Sequence, residues 1–219
     1  MTFSVIPTGE KHVVHIKVTT SFSFYATTLR ISAYLVCEAS KRKYFAALNI
    51  LLRRSLVLKT LAGMQWASTN LPDTYYYSSG DDDIYVKIDK LIETIEEARK
   101  KQADLKWNTF PIICMHNSPM VNTPYRSKTG RFKQWYVSDK QYKWPFYPRS
   151  CRGGLYTTTV DVIKQLFNIS KSVPSLPVDD VWVTGILRKL LGLPDGMLFL
   201  PKQEVVLHGL GKKPRDIAK

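Results

Sequence analysis

The sequence predicts an α/β fold in which helices flank a sheet. Three observations support this prediction: β-prone runs alternate with helical patterns, the most regular helical pattern directly follows a β-prone run, and a carboxylate cluster lies between β-prone residues just before it. Of the 219 residues, 44% are hydrophobic and 23% are charged. This balance is typical of a folded globular protein with a packed core.

The predicted elements alternate along the chain. Strands are predicted at residues 12–18, 31–37 and 74–79. The spacing of apolar residues predicts helices at residues 56–68, 88–98, 160–167 and 180–191. The second helix is the clearest, since its apolar residues recur on one face and its charged residues on the other. Residues 107–125 are expected to be strand and loop, and residues 126–133 form a basic loop expected at the tip of a hairpin.

The chain is strongly basic, with a formal net charge of +14. Such a charge is typical of proteins that bind nucleic acid, an anionic membrane surface or phosphorylated ligands. An ordinary basic surface on a soluble protein explains the charge equally well. The Lys/Arg-rich and aromatic stretch 125–147 would suit a nucleic-acid-binding module, but it contains no recognised reading motif, so this class ranks last.

Cysteine usage and two other short signals bear on the compartment. Cys37, Cys114 and Cys151 are too few for a disulfide scaffold, although Cys114 and Cys151 can form one bridge in an oxidising compartment. Asn168 begins an Asn-Ile-Ser glycosylation sequon, which matters only in the secretory pathway. The most apolar early stretch, residues 22–37, is too short and too polar to span a membrane or to serve as a signal peptide.

Three adjacent carboxylates, Asp81-Asp82-Asp83, form the most informative cluster in the chain. Like charges at this spacing repel, so the cluster is costly unless a cation neutralises it. Carboxylate oxygens suit hard divalent ions such as Mg²⁺ or Mn²⁺. Taken alone, the cluster is better explained as a solvated acidic turn. Two motifs further along the chain reverse that preference.

These motifs share an order and spacing with a known enzyme family. The matching residues are Asp81-Asp82-Asp83, then Trp135-Tyr136-Val137-Ser138, Tyr147-Pro148, Cys151, Gly153-Gly154 and Tyr156, then Asp179-Asp180-Val181 and Gly185. In this arrangement, residues 56–210 resemble the β-1,3-galactosyltransferases and β-1,3-N-acetylglucosaminyltransferases of glycosyltransferase family 31, which also contains the Fringe-type enzymes. The resemblance implies a GT-A type, Rossmann-like mixed sheet, with ligands at the carboxyl ends of its strands.

The resemblance also implies a reaction and a metal. The expected activity is inverting transfer of Gal or GlcNAc from UDP-Gal or UDP-GlcNAc to a glycan on a protein or lipid, with a β-1,3 linkage and with Mn²⁺ or Mg²⁺ as cofactor. Asp83 is expected to contact the metal directly, with Asp81 and His208 as further ligands. Asp81, Asp82 and Lys59 are expected to bind the donor. No nucleic-acid partner is expected.

The Asp179-Asp180 pair has two interpretations. Its position before a helical pattern is typical of a helix cap and a first-turn carboxylate. The resemblance instead places the catalytic base here, with Asp180 favoured and Asp179 as the alternative. One carboxylate can cap the helix while the other deprotonates the acceptor.

The sugar pocket is the remaining predicted part of the site. The resemblance places it at Trp135, Tyr147, Gly153, Gly154 and Trp182. Glycines let a backbone approach a sugar closely, and aromatic faces stack on sugars. The alternatives are a tight turn and ordinary core aromatics.

The resemblance fails before residue 56. Residues 1–55 are predicted as a divergent basic segment with strands, 56–210 as the GT-A domain, and 211–219 as a basic tail. The family's nucleotide-binding motifs and its N-terminal membrane anchor are not recognisable, so the chain is expected to be a truncated product or to have lost entry to the Golgi lumen, where the family resides. The alternative to an active enzyme is a catalytically impaired remnant of the same fold that acts as a binding protein.

Overall fold

The computed structural model describes residues 2–6, 14–17, 56–81, 84–115 and 123–208. The strands are β1 (Thr2–Ile6), β2 (Val14–Lys17), β3 (Tyr76–Gly80), β4 (Ile84–Val86), β5 (Ile112–Cys114), β6 (Leu155–Thr159), β7 (Leu198–Phe199) and β8 (Val206–His208). The helices are α1 (Leu56–Asn70), α2 (Ile88–Asp104), α3 (Val160–Ser170) and a π-helix (Val181–Leu187) that continues into the short α4 (Arg188–Leu190). Lys133–Trp135 and Asp195–Met197 form 3₁₀ turns.

The central sheet has the order β2-β1-β3-β6-β5-β7. Its neighbours pair antiparallel except for β5 and β7, which run parallel. A second, two-stranded sheet pairs β4 with β8. The predicted α/β fold with a mixed sheet of GT-A type is therefore confirmed, with the helices as its flanking layers.

Each face of the sheet carries its own core. Because neighbouring strand residues point to opposite faces, Tyr77 joins one buried cluster and Tyr76 the other. The first cluster contains side chains from α1, α3 and the π-helix. The second contains Leu91, Ile95 and Ala98, which are the buried positions of the predicted 88–98 periodicity on α2. Burial of a side chain such as Leu91 contributes about 1.5–3 kcal/mol.

Several predicted elements appear with different bounds. Strand 74–79 becomes β3, helix 88–98 extends to Asp104, and helix 160–167 extends to Ser170. The predicted strand 12–18 corresponds to β2, while strand 31–37 and the tail 211–219 lie outside the described residues. β1 lies inside the segment 1–55, yet it pairs with β3, so its backbone belongs to the central sheet.

The predicted hairpin around residues 126–133 is wrong. The residues that flank this loop form an isolated bridge, Tyr125↔Tyr136, which is parallel, whereas hairpin strands are antiparallel. Arg126 organises the loop instead, since its guanidinium donates to the carbonyl oxygens of Val137 at 2.8 Å and Tyr142 at 2.6 Å.

Within the described ranges, no helix combines the length and apolar character needed to cross a bilayer.

Candidate functional site

β3 ends where the acidic cluster begins. Gly80 is its last residue, and a Cβ atom there would lie 2.6 Å from Leu155 Cδ1 and 2.8 Å from the carbonyl oxygen of Gly154. Glycine is therefore required at this position if the pairing of β3 with β6 is to extend as far as Gly80↔Leu155. The next residue, Asp81, is exposed, and its backbone N–H donates to Gly154 O at 2.9 Å. This pairing places Asp81 beside the turn that enters β6.

That turn consists of Gly153 and Gly154. Gly154 has a φ of 113°, a left-handed conformation that favours glycine. A Cβ atom on Gly153 would lie 3.7 Å from Asp180 Oδ2 and 3.9 Å from Asp81 Oδ2. Carboxylates from distant parts of the chain therefore approach one backbone position that has no side chain. Asp82 and Asp83 lie outside the described residues.

Asp180 begins the π-helix and uses its two carboxylate oxygens differently. Oδ1 accepts the backbone N–H of Val181 at 2.8 Å, which is a capping interaction. Oδ2 is the oxygen close to Gly153. The Thr184 hydroxyl accepts the N–H of Cys151 at 2.8 Å and donates to the Asp180 carbonyl at 2.6 Å. This relay holds the start of the helix against the segment that leads to Gly153.

Asp179 is held from the opposite side by α1. The Thr60 hydroxyl lies 2.7 Å from Asp179 Oδ2, shorter than its 3.2 Å contact with the Leu56 carbonyl. Burial raises the pKa of Asp179, and the hydrogen bond from Thr60 partly offsets that rise. Asp179 therefore has a fixed hydroxyl donor, while Asp180 directs one oxygen towards Asp81.

The electrostatic environment makes Asp180 a suitable proton acceptor near neutral pH. Burial, the charge of Asp179 and the charge of Asp81 raise the pKa of Asp180 to about 7, although the N–H groups of Val181 and Gly153 lower it. A base is most effective when its pKa lies near the working pH.

Buried tyrosines surround the Asp pair. Burial raises the pKa of Tyr147 to about 12 and that of Tyr156 well above the usual range, and the charge of Asp180 contributes to both shifts. Both phenols are therefore neutral at physiological pH and remain hydrogen-bond donors. Among the described residues, none forms a hydrogen bond with the Tyr147 hydroxyl.

The segment before Gly153 is tightly fixed. The structure contains a disulfide between Cys114 at the end of β5 and Cys151. The buried Arg188 guanidinium donates to Arg149 O at 3.0 Å and pairs with Asp195 at 2.7 Å. A Cβ atom on Gly185 would lie 3.1 Å from Ser150 Cβ, so glycine lets the π-helix approach this segment. Packing thus fixes the backbone on which the Gly153 turn depends.

The predicted metal ligands are only partly described. In the β4–β8 pair, the backbone of His208 lies opposite Ile84, the residue that follows Asp83. The fold thus brings the backbone of a distant histidine beside the strand that follows the acidic cluster in the sequence. Within the described residues, no group of three or more His, Cys, Asp or Glu side chains is arranged to hold a metal ion.

The other predicted site residues lie in different environments. Lys59 lies on α1, one residue before Thr60, and is partly exposed. Trp135 ends a 3₁₀ turn and is half-buried. The prediction that Trp182 stacks on a sugar does not fit its position, because Trp182 is 1% exposed and its Nε1 donates to Pro174 O at 3.0 Å. Asn168 is exposed in the last turn of α3.

Sequence reasoning did not assign three residues that shape the site. Thr60 lies in the family-like Leu58-Lys59-Thr60-Leu61 stretch, but the charged Lys59 was the residue predicted to act there. Thr184 lies one residue before the motif glycine Gly185 and gave no signal of its own. Gly80 directly precedes the carboxylates and was assigned no role.

Comparison with known proteins agrees with these motifs. A family model described as Galactosyltransferase matches residues 54–196. The chain is 31% identical to human beta-1,3-galactosyltransferase 5 over 140 residues, and 35% identical to the mouse protein over 141 residues. It is 29% identical over 161 residues to human lactosylceramide 1,3-N-acetyl-beta-D-glucosaminyltransferase. The matches cover 62%, 64% and 73% of this chain but only 40%, 42% and 38% of those relatives.

Proposed function

This chain belongs to the galactosyltransferase family, and on that premise we propose that it is a metal-dependent, inverting glycosyltransferase. It transfers Gal or GlcNAc from UDP-Gal or UDP-GlcNAc to a glycan acceptor, through a β-1,3 linkage. The observation that carries the proposal is the approach of Asp81 Oδ2 and Asp180 Oδ2 to the same position at Gly153. One carboxylate serves the donor side of the reaction and the other the acceptor side.

Asp180 is the proposed general base. Its Oδ1 is engaged by the Val181 N–H, so its Oδ2 takes the proton from the acceptor hydroxyl. A pKa of about 7 leaves a substantial fraction of Asp180 ionised at neutral pH and still basic enough to accept that proton. A base opposite the leaving group supports in-line displacement with inversion. Asp179 is the alternative base, and its bond from Thr60 favours a supporting role.

Asp81 is proposed to serve the donor side. Together with Asp83 and His208, it would hold Mn²⁺ or Mg²⁺, while Asp82 and Lys59 bind the nucleotide sugar. Carboxylate oxygens are hard donors, and the raised pKa of Asp180 reflects in part the negative charge of Asp81 beside it. The ion would neutralise the charge that the departing diphosphate gains.

The Gly153 turn, Tyr147 and Trp135 are proposed to form the sugar pocket. Because Gly153 has no side chain, its backbone lets a sugar approach closely beside the two carboxylates. Tyr147 is buried and its phenol is neutral, so in this proposal it forms the inner wall of the pocket. The acceptor is a glycan on a protein or lipid, and the similarity to lactosylceramide 1,3-N-acetyl-beta-D-glucosaminyltransferase supports the lipid case.

The Golgi lumen is the proposed compartment. The family resemblance supports it, and so does the Cys114–Cys151 disulfide, since disulfides persist in oxidising compartments. The exposed Asn168 sequon is compatible with passage through the same pathway.

Calorimetric titration of UDP, with and without Mn²⁺, tests the proposal. Wild-type protein is expected to bind UDP only with Mn²⁺, and Asp81→Asn is expected to weaken this binding by about 10-fold or more. A panel of UDP-sugars then identifies the donor by Mn²⁺-dependent hydrolysis. UDP binding that is unaffected by EDTA would contradict the metal assignment, and no UDP binding at all would favour the non-catalytic remnant.

A further inference from the structure

An apolar surface extends from Tyr147, and its other residues have no role in the proposed reaction. We call it the aromatic groove, and it has a volume of about 560 Å³. Its lining includes Trp144, Phe146, Tyr147, Pro148, Lys189 and Leu190. Three of its large apolar side chains are prominently exposed, with Trp144 at 59%, Phe146 at 56% and Leu190 at 56%. Clustered exposed apolar side chains of this kind mark interaction sites.

Hydrogen bonds hold the loop that forms much of the groove in a defined conformation. The Arg126 guanidinium donates to the carbonyl oxygens of Tyr142 at 2.6 Å and Trp144 at 3.2 Å, and it pairs with Asp139 at 3.2 Å. The Tyr142 hydroxyl donates to the Phe146 carbonyl at 2.9 Å. The loop that presents the two exposed aromatic rings is therefore held by hydrogen bonds along its length.

The groove also carries positive charge. Lys143 Nζ lies 4.9 Å from the centre of the Trp144 ring, and Lys189 is an exposed lining residue. None of the described residues that line the groove is acidic. Exposed aromatic rings framed by lysines match the boundary of an anionic bilayer, where rings enter the headgroup region and ammonium groups meet lipid phosphates.

The groove is directly connected to the elements that form the proposed reaction site. Its inner edge is formed by Tyr147 and Pro148, which lead along the chain into Cys151 and the Gly153 turn. A Cβ atom on Gly185 would lie 3.2 Å from Pro148 Cγ, so this edge also packs against the helix that begins at Asp180. A bilayer docked on the groove would therefore contact the segment that leads to the Gly153 turn and the helix that begins at Asp180.

We propose that the aromatic groove docks on an anionic lipid surface and thereby brings lipid-linked glycan acceptors to Asp180. The choice of lipid-linked acceptors rests on the proposed function, whereas lipid docking itself does not. A second copy of the chain fits less well, because a two-fold contact through this surface would bring the lysines of both copies together. The net charge of +14 supports an anionic partner.

Flotation of the full chain with vesicles tests the docking. The probes are phosphatidylcholine vesicles with and without about 30% phosphatidylserine, an anionic lipid that attracts basic protein surfaces. Wild-type protein is expected to float with the anionic vesicles and much less with the neutral ones. The double variant Trp144→Ala/Phe146→Ala is expected to lose binding by about 10-fold or more. Lys143→Ala/Lys189→Ala is expected to lose the preference for anionic vesicles.

The matched control is Leu105→Ala/Phe132→Ala, which removes apolar side chains of 51% and 49% exposure outside the groove. It is expected to bind vesicles as wild type does. Circular dichroism checks that all variants fold, and brominated lipids should quench wild-type tryptophan fluorescence more than that of the conservative Trp144→Phe variant. Wild-type protein that does not float, or aromatic variants that bind as well as the control, would overturn the proposal.

Two further measurements separate other outcomes. A wild-type dimer in sedimentation velocity that Trp144→Ala/Phe146→Ala converts to a monomer would identify a second copy as the occupant and overturn the lipid proposal. Transfer to a soluble oligosaccharide isolates the chemistry from docking. Vesicle binding without any transfer would refute the proposed function alone, and transfer without vesicle binding would refute the docking alone.

Discussion

Asp81 Oδ2 and Asp180 Oδ2 both lie within 4 Å of the point where a side chain on Gly153 would begin. Asp81 reaches this point because β3 pairs with β6 up to Gly80, and Asp180 reaches it because the π-helix packs against the segment before Gly153. Two independent packing arrangements therefore create one site. Because these carboxylates are far apart along the chain, only the folded structure brings them together.

Substitution of Gly153 should act on the site without disrupting the fold. In Gly153→Ala, the new methyl group meets Asp180 and Asp81 at 3.7 and 3.9 Å, which are ordinary contact distances. We therefore expect near-normal thermal stability but a KM for the nucleotide sugar or acceptor that rises by about 10-fold, because the space between the carboxylates is filled.

Two other glycines serve as controls for this substitution. Gly196→Ala should change neither property, since nothing lies within 4 Å of the added atom. Gly80→Ala should lower the melting temperature sharply, because the added atom would be 2.8 Å from a backbone oxygen. Equal kinetics for Gly153→Ala and Gly196→Ala would place the reacting groups elsewhere.

The pKa of Asp180 should make stability depend on pH. That pKa is about 7 in the folded protein, against about 3.9 in an unfolded chain. Because it is raised, the fold favours the protonated acid: the contribution to stability is fully present below about pH 4 and is lost as pH rises through 7. Between pH 5 and pH 8, the wild type should therefore lose about 2–4 kcal/mol of unfolding free energy through this group. Asp180→Asn, which has no acid at this position, should not show that loss.

Urea denaturation at several pH values measures this gain. Asp104→Asn, at an exposed position on α2, controls for the loss of one carboxylate. If the unfolding free energies of wild type and Asp180→Asn change in parallel with pH, Asp180 does not have a raised pKa.

The hydroxyl of Thr60 should stabilise the fold through Asp179. Thr60→Val keeps the shape of the side chain but removes the donor at 2.7 Å from Asp179 Oδ2. We expect a loss of about 1–3 kcal/mol of unfolding free energy, since a largely buried carboxylate loses its side-chain hydrogen-bond donor and keeps only backbone donors. Thr69→Val is the matched control on the same helix, because the Thr69 hydroxyl bonds only to the Gln65 carbonyl at an exposed position. A loss no greater than that of the control would show that the Thr60 contact is energetically unimportant.

Reduction of the Cys114–Cys151 disulfide should destabilise the segment before Gly153. The bridge closes a loop with a sequence separation of 37, for which the chain-entropy model gives about 4 kcal/mol. Cys151→Ser, or wild type with a reductant, should therefore show a lower melting temperature and reduced activity. Cys37→Ser controls for the loss of a cysteine, and an equal effect of both substitutions would argue against the bridge.

The parts of the fold that rest on local pattern were predictable. The apolar spacing of α2 and the strand leading into Asp81 carry their own signals, and the motif at Asp179-Asp180 identifies the start of a helix. β6 was missed because its sequence, Leu-Tyr-Thr-Thr-Thr, is buried on both faces and runs directly into α3 without a turn residue. β7 and β8 have two and three residues, too few to show any period.

The site was predictable as a set of residue types but not as an arrangement. The contact between Thr60 and Asp179 spans 119 positions, and no local pattern encodes it. Trp182 has a residue type that suits sugar stacking, yet its place in the π-helix directs its ring into the core. Periodicity gave a helix at 180–191 but could not reveal that its first turns are π-helical, because that conformation depends on packing around Gly185.

Transfer by Asp180→Asn tests the central claim most directly. The measurement is the single-turnover rate of sugar transfer at saturating UDP-sugar and Mn²⁺, with UDP affinity determined by calorimetry on the same preparation. We expect Asp180→Asn to bind UDP as wild type does but to transfer sugar about 10²–10⁴-fold more slowly, because the acceptor hydroxyl has lost its base. Transfer by Asp180→Asn at the wild-type rate would contradict the assignment of Asp180 as the base opposite Asp81.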